Sequence, residues 1–596
     1  MRTILNLNTL YKTLHGFLEE RNRYVFAGVL LSLAILIHGV MILNIFPGYT
    51  YITIGRVTFK IYHPLKQFIE NLAFLTYILA LFTIPMILGF NRLSLLYILV
   101  NVILMMFSYN FSPLLMVIPL LAMFIGILLY VLRTNRYIKD FIIGLIYSIA
   151  GIEIVVLAHH IFLLSGFKLK LLSSLISFEI YSWSILWPST LLILIISIIL
   201  FFLTFRKPRK SREIENTNNS DFIYLMLGIV LATFIGIIGY TPTINPMKIP
   251  LNVDWLFYYE ALQRMIESKN PYIEAFRAWP TYGDRPLYMI LLYTISRILP
   301  IDIKTLCIYH NIALFQLYAL STYYMAKKIF GKNIARYAII IAPATPNISS
   351  FIYGGFQANL FTLSLIQFSI GLFTEFKVRN IPLIIVLSLI TISSHLYTWI
   401  HFAVLTAIYI LILILIAIYR GILHGKYKDV FKLAISPIVF ILTGLVLDMI
   451  LGFILKEFKR IDIKMHTLQF LNVFRYINRI DLNKIWSQME FYHNVYTGGS
   501  LNNPLYWILL LLSSILSSST VITSIYTYIS ILLSIAMYAI VPLYSYRIEI
   551  NTPTAYIVAS LINSLGKTEK VFVILSLYSI ALTKVICYIP NLNLIP

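Results

Sequence analysis

The run FIYLMLGIVLATFIGIIGY, from Phe222 to Tyr240, carries no charged side chain over its whole length. A bilayer-spanning helix needs about 17–25 mostly apolar residues, so this run predicts a membrane helix. Similar runs recur along the 596-residue chain, which is 59% hydrophobic and only 12% charged. Ordinary soluble domains are about 45–50% apolar and about 25% charged. The sequence therefore predicts an all-α polytopic membrane protein.

Six further spans are predicted before Phe222, and they form an N-terminal membrane module of residues 1–205. These spans are Val25–Ile45, Ile69–Phe90, Leu93–Phe107, Leu114–Leu132, Phe141–Leu164 and Ile185–Phe205. The segment RKPRKSREIENTNNSD (Arg206–Asp221) is rich in basic and polar residues, which is typical of a cytoplasmic linker. Residues 222–596 then form a second, larger membrane module.

The basic loops set the predicted orientation, because cytoplasmic loops of membrane proteins are enriched in Lys and Arg. This rule also accounts for the net charge of +22, and we expect no nucleic acid as a partner. The basic loops that we place inside, together with the N-terminus, are Lys327–Arg336, Lys377–Arg379, Arg420–Lys432 and Gly566–Lys570. Residues 241–303 and 456–504 are then external loops at the cell membrane. This count requires Leu287–Leu299 to be a short re-entrant or interfacial helix; if it spans, one basic loop lies outside.

The first external loop contains an acidic segment, NVDWLFYYEALQRMIESKNPYIEAFRAWPTYGDRPLY (Asn252–Tyr288). A surface helix is predicted over Val253–Ser268. Its apolar stripe consists of Trp255, Tyr259, Leu262 and Ile266. Asp254 begins the helix, where a carboxylate either caps backbone N–H groups or acts as a general base at the bilayer edge. Glu260 and Arg264 are spaced for an ion pair on the polar side.

Arg285 follows a Gly-Asp turn and precedes a proline that fits the first turn of a helix. Its guanidinium has three possible roles. It caps the turn, pairs with Asp284, or binds a phosphate through two parallel hydrogen bonds. The sequence leaves these alternatives open.

Other polar residues lie in or beside predicted spans. Asp448 interrupts the apolar run GLVLDMILGF, and a carboxylate inside a membrane is either functional or bonded to a neighbouring helix. His395, at an external helix end, packs at the interface or belongs to a site. Glu153 and His160 are a structural pair or a proton relay. The loop 456–504 interleaves cations with aromatic residues, which favours docking on the lipid surface or contact with a substrate.

The order of these features resembles the C-type (GT-C) membrane glycosyltransferases, the superfamily of protein O-mannosyltransferases and lipid A aminoarabinose transferases. The resemblance covers residues 222–588 and begins with Asp254 in the first external loop. The motifs that follow are GDRPLY (Gly283–Tyr288), AKKIFGKNIARYAIIIAPATP (Ala326–Pro346), SSHLYTW (Ser393–Trp399) and YRIEINTP (Tyr546–Pro553). The resemblance implies a GT-C-like helical bundle with external amphipathic-helix loops. It does not explain the six-helix module that precedes the bundle.

The resemblance also implies an activity: a sugar moves from a polyprenyl-phosphate carrier to a glycan, lipid or protein acceptor on the external face. Asp254 would take the proton of the acceptor, and cationic side chains would neutralise the departing phosphate. The candidate substrate-binding residues are Arg285, Arg547, Glu260, Asp284, His395 and Asp448. The first loop lacks an Asp-x-Asp motif, so the sequence gives no support for a metal-dependent mechanism, and a divalent metal stays an open alternative. We expect no cofactor beyond the donor lipid itself.

A multi-pass transporter or lipid flippase is the alternative function. Such proteins often combine internal repeats with charged residues at the membrane midplane. We find no repeat between the halves of this sequence, and its acidic residues concentrate in one external loop. A non-catalytic membrane scaffold is a third candidate.

Overall fold

The structure is a computed structural model, and it describes the following parts of the chain. They are residues 220–455 without 247, 249, 253, 278–282, 346–350, 352–355, 375 and 425–427; residues 525–538 and 547–587 without 549; the strands within 49–62; and scattered positions at 24–31, 100, 143–166 and 506–513. The external loop 456–504 and most of the predicted six-helix module lie outside these residues. Both stay predictions.

The chain divides into two compact units. One contains Met1–Val156 and Gly566–Ser576, and the other contains Leu157–Leu565 and Leu577–Pro596. The predicted linker Arg206–Asp221 lies outside the described residues except for its last two positions, which begin a helix. The predicted boundary at this linker stays a prediction.

The first unit contains an antiparallel pair of strands, β1 (Tyr49–Ile54) and β2 (Val57–Tyr62). Tyr49 pairs with Tyr62 at one end and Ile54 with Val57 at the other, so two residues separate the strands. A two-residue connection is the commonest hairpin length. The hairpin is an exception to the prediction of an all-α protein. Period-two alternation over so few residues is easily overlooked between long apolar runs.

Helices make up most of the second unit. They are α1 (Ser220–Ile238), α2 (Trp255–Glu267), α3 (Pro271–Glu274), α4 (Pro286–Ile298), α5 (Ile303–Tyr309), α6 (Asn311–Phe330), α7 (Lys332–Ile341), α8 (Gln357–Phe373), α9 (Ile381–Ser394), α10 (Leu396–His424), α11 (Lys428–Ile454), α12 (Ile525–Tyr538) and α13 (Ala555–Ser564). A last helix, α14 (Lys567–Cys587), contributes to both units. Short 3-10 turns at Ala342–Ala344 and Val378–Asn380 follow α7 and precede α9.

Among the described residues, three helical segments are long and apolar enough to cross a membrane: Asp221–Ile238, Leu396–Leu415 and Lys432–Ile454. The first matches the predicted span Phe222–Tyr240, and the third contains Asp448. The protein is therefore a mostly helical membrane protein, in agreement with the coarse prediction from composition.

Helix α4 corresponds to the segment Leu287–Leu299 whose role the sequence left open. It has 13 residues, with Pro286 in its first turn. A helix of this length rises about 20 Å, whereas the hydrocarbon core of a bilayer is about 30 Å thick. The length agrees with the short interfacial or re-entrant alternative.

The predicted basic loop at KKIFGKNIAR is a single residue between two helices. Gly331 separates α6 from α7 and has a φ of 93°, a backbone conformation that glycine adopts at little cost. Helix α7 has only 10 residues before the 3-10 turn that contains Pro343. Helix α7 therefore ends just before Pro343, since the proline ring does not fit a continuing helix.

Contacts at both ends of α1 and α6 show that these helices run antiparallel. At the start of α1, Asp221 Oδ1 accepts a hydrogen bond from Arg336 Nε at 2.7 Å, just beyond the end of α6. Past the other end of α1, the ring of Tyr240 packs on that of Tyr309, with centroids 4.8 Å apart. The end that carries Lys327, Lys328 and Arg336 is thus opposite to the end where the acidic segment begins.

Buried polar contacts and close packing join the helices between these two ends. Gln367 Oε1 on α8 accepts hydrogen bonds from Ser321 Oγ at 2.6 Å and Thr322 Oγ1 at 2.9 Å, both on α6. On α11, Gly444 lies against the buried Trp399, and a Cβ there would come within 2.1 Å of the indole ring. Such hydrogen bonds and small residues are typical of helix contacts in membranes.

Candidate functional site

Asp254 occupies the N-cap position of α2, but its side chain caps nothing. Its φ and ψ are −84° and 0°, and no side-chain hydrogen bond reaches the first turn. Cap residues that bond to the helix have β-region backbone angles, and Asp254 has helical ones instead. The capping alternative is therefore wrong. Among the described residues, nothing donates a hydrogen bond to this carboxylate.

The electrostatic surroundings of Asp254 link it to two arginines that are distant in sequence. Burial raises the pKa of Asp254 above its ordinary value. The positive charges of Arg285 and Arg547 oppose this rise, while the negative charge of Asp284 adds to it. The three residues to which the sequence assigned the chemistry, Asp254, Arg285 and Arg547, are thus close enough to act on one another.

Arg285 is held by Asp284 and Tyr258. Its Nε and Nη2 donate hydrogen bonds to Asp284 Oδ1 and Oδ2, each at 3.1 Å, in a bidentate pair. Its Nη1 donates to Tyr258 Oη at 2.8 Å. Of the alternatives for Arg285, the structure shows the pair with Asp284. Paired in this way, the guanidinium is fixed in direction before any ligand arrives.

Asp284 is buried and tied to the start of a membrane span. Its backbone carbonyl accepts a hydrogen bond from the Leu396 N–H at 2.8 Å. Burial alone would raise the pKa of its carboxyl, but the charges of Arg285 and its other neighbours and the Arg285 hydrogen bonds lower the pKa to about 2. Asp284 is therefore ionised at any physiological pH, and the main effect of its charge is to orient Arg285.

His395 lies between α9 and α10 and faces Asp284. The backbone N–H of Thr398 donates to His395 Nδ1 at 3.2 Å, so Nδ1 is an acceptor and the ring proton resides on Nε2. Nε2 is 4.0 Å from Asp284 Oδ2. Burial lowers the pKa of His395, and the charge of Arg285 lowers it further, which favours this neutral form. The Thr398 hydroxyl also lies 2.8 Å from Nδ1 and contacts Asn359.

Arg547 reaches the same cluster from the C-terminal part of the chain. Its guanidinium carbon lies 5.2 Å from the centre of the Tyr397 ring, a cation–π distance. Tyr397 in turn packs beside His395, with ring centroids 6.2 Å apart. The charge of Arg547 acts on Asp254, Asp284 and His395. Residues from α2, the α3–α4 connection, α10 and the segment before α13 thus meet at one place.

Asp448 joins this region through a shared pocket. A pocket of about 310 Å³ is lined by Asp284, Leu396, Ser393 and, from α11, Asp448 and Leu451. Asp448 is half-buried near the end of its span. The structure therefore brings Asp448 to the same end of the helices as Asp284.

Glu260 is not part of the cluster. It is exposed on α2, as is Arg264, and among the described residues no ion pair joins the two. The side chains of α2 that the protein buries are Tyr258, Ala261, Leu262 and Met265, so this face shares only Leu262 with the apolar stripe predicted for the membrane surface. Both sets of residues are spaced as one face of a helix, so the sequence pattern does not distinguish them. The packing of the neighbouring helices determines which face is buried.

Tyr258 is the functional candidate that the sequence reasoning missed. It is completely buried, and its hydroxyl oxygen accepts hydrogen bonds from Arg285 Nη1 and from the Ala358 N–H. Its ring packs edge-on against Tyr288. Tyr288 contacts His310 through a further hydrogen bond. A signal existed in the sequence, because Tyr258 follows Asp254 by one helical turn and therefore lies on the same side of α2.

The proposed structural or relay pair of Glu153 and His160 stays a prediction. Both side chains are buried, and each belongs to a different compact unit. His160 Nε2 lies 2.7 Å from Thr583 Oγ1.

Within the described ranges, no group of three or more His, Cys, Asp or Glu side chains gathers as a metal site would require. No protein-family model matches the chain, and no curated protein matches it.

Proposed function

We propose that the protein is a membrane glycosyltransferase of the GT-C type, which moves a sugar from a polyprenyl-phosphate carrier to an acceptor on the external face. The observation that carries the proposal is the cluster of Asp254, Arg285 and Arg547. A carboxylate without a hydrogen-bond donor among the described residues stands beside two cations, at the end of the helices opposite to the basic end.

Asp254 is suited to be the general base. A base for an acceptor hydroxyl or amine must reach the substrate, and this carboxylate is not engaged by its own helix. Burial raises the pKa of Asp254, and a carboxylate with a raised pKa is a stronger base once it is ionised.

The arginines are suited to stabilise the leaving phosphate. Polyprenyl phosphate departs with negative charge, and fixed cations stabilise the charge that develops there. Arg285 is oriented in advance by Asp284 and Tyr258, so little reorganisation is needed during the reaction. The carrier's lipid chain requires a membrane environment, which the three spanning segments of the described chain supply.

The test is sugar transfer in membranes that contain the full-length protein. Tritiated mannose or glucose on dolichyl phosphate is supplied, and label is followed from the donor lipid into any other fraction. Because general base catalysis contributes about 10²–10⁴-fold, we expect Asp254→Asn to lower transfer by at least about 100-fold. Glu267→Gln is the matched control, since Glu267 is an exposed carboxylate on the same helix.

Two results would contradict the proposal. One is transfer by Asp254→Asn at the wild-type rate. The other is movement of the intact labelled lipid across the membrane without sugar transfer, which is the behaviour of a flippase.

A further inference from the structure

A second pocket, of about 330 Å³, lies beside the Asp254 cluster and differs from the pocket lined by Asp448. Its polar lining comes from three parts of the chain. The polar residues are Thr398 and His401 on α10, Ser530 on α12 and Asn551 before α13. The aromatic rings of Phe402 and Tyr526, with centroids 5.4 Å apart, form part of its wall.

Asn551 gives this pocket an acceptor without a partner. Its Oδ1 is buried, and among the described residues no donor reaches it. A buried polar atom without a hydrogen bond costs about 1–3 kcal/mol, which a hydrogen bond from a bound molecule would recover. A ligand with hydroxyl donors in this pocket would satisfy it.

The pocket is connected to the proposed reaction site at two points. Thr398, which lines it, also contacts His395 through its hydroxyl and its backbone N–H. Asn551 donates its backbone N–H to the Arg547 carbonyl at 3.2 Å, so the two side chains are one helical turn apart. Four residues of helix rise about 6 Å, which is similar to the width of one hexose ring.

We propose that this pocket binds the sugar of the donor, a neutral hexose whose hydroxyl groups donate to Asn551 while its ring packs against Phe402 and Tyr526. The inference rests on the proposed function and adds a site to it. A phosphate at Arg547 and a sugar at Asn551 fit the linear order of a polyprenyl-phosphate sugar. Aromatic walls with a few convergent polar groups are the usual lining of a small-ligand pocket.

The test compares two probes on the purified full-length protein in lipid nanodiscs: dolichyl-phosphate mannose and dolichyl phosphate without sugar. We expect the wild type to bind the mannose lipid at least tenfold more tightly. Asn551→Leu should remove this preference and leave the affinity for dolichyl phosphate unchanged. The variant should fold, because the carboxamide oxygen that it removes makes no hydrogen bond within the described chain.

A control variant is compared with Asn551→Leu, and the thermal midpoint of Asn551→Leu shows whether that variant is folded. Asn333→Leu changes an exposed asparagine far along the chain and should keep the preference. If the wild type binds both lipids equally, or if folded Asn551→Leu keeps the preference, the sugar pocket is overturned while the proposed function stands. If the wild type binds neither lipid, both are overturned.

Discussion

The backbone N–H of Leu396 donates a hydrogen bond to the backbone carbonyl of Asp284 over 2.8 Å. This bond joins the acidic segment that precedes α4 to the first residue of α10, which is long and apolar enough to cross a membrane. Asp284 also accepts two hydrogen bonds from Arg285. The position of the Arg285 guanidinium is therefore fixed relative to α10. Arg285 lies outside the helices, but these hydrogen bonds hold it in place against the helix bundle.

Asp284→Asn should alter stability in acid. The pKa of Asp284 is lowered to about 2, below its ordinary value of about 3.9. Its ionised form therefore stabilises the fold above about pH 4, and the contribution is lost as pH falls through about 2. Between about pH 5 and about pH 3, the thermal midpoint of the wild type should fall more than that of Asp284→Asn. Equal falls would contradict the assignment.

Arg547→Gln should move the acidic limb of the pH–rate profile for sugar transfer. Transfer requires ionised Asp254, so the rate rises with pH through the pKa of that carboxyl. Arg547 holds this pKa down against the effect of burial, and its removal raises the pKa further. The limb should shift to higher pH. Arg264→Gln, at an exposed position on α2, is the control and should leave the limb in place; an unmoved limb in Arg547→Gln would count against the cluster.

Tyr258→Phe should weaken both activity and stability. It removes the oxygen that accepts from Arg285 Nη1 and from the Ala358 N–H, and leaves the latter buried donor without its partner. We expect a loss of about 1–3 kcal/mol in the free energy of unfolding and a lower rate of transfer. Tyr259→Phe is the adjacent control, since within the described part of the chain the Tyr259 hydroxyl accepts only from Gln263 on the same helix. Similar results for the two variants would show that Tyr258 has no special role.

Gly444→Ala should destabilise the protein through packing alone. Its new methyl group would overlap the indole of Trp399, which is buried. Overpacking of this kind costs about 1–3 kcal/mol. Gly452→Ala on the same helix meets nothing within 4 Å and should be neutral. Thermal midpoints in detergent compare the two variants, and an equally stable Gly444→Ala would disprove this contact.

The two ends of the bundle should be accessible from opposite sides of the membrane. Glu267→Cys on α2 and Lys328→Cys on α6 place exposed thiols at these ends. In a Cys587→Ser background, where the buried Cys307 remains, a membrane-impermeant maleimide should label only Glu267→Cys in intact cells. Labelling of Lys328→Cys instead would show that the orientation is the opposite one and would contradict the proposed reaction on the external face.

The sequence by itself determined the class of the protein. Apolar runs such as Phe222–Tyr240 require a membrane, because a soluble fold has no place to bury them. It also singled out Asp254, Arg285, Arg547 and Asp448, since charge is rare in this chain and each charged residue beside a span is conspicuous. Helix α1 and the short helix α4 agree with what those patterns predict.

Only the tertiary structure decided which residues meet. Whether Asp254 caps its helix depends on backbone angles, and the choice between the stripes of Tyr258 and Tyr259 depends on what packs against α2. The bond from Leu396 to Asp284 spans more than a hundred residues, and so does the approach of Arg547 to Asp254. Sequence spacing describes one helix or one turn at a time, whereas a site is assembled by contacts between segments whose separation along the chain carries no such information.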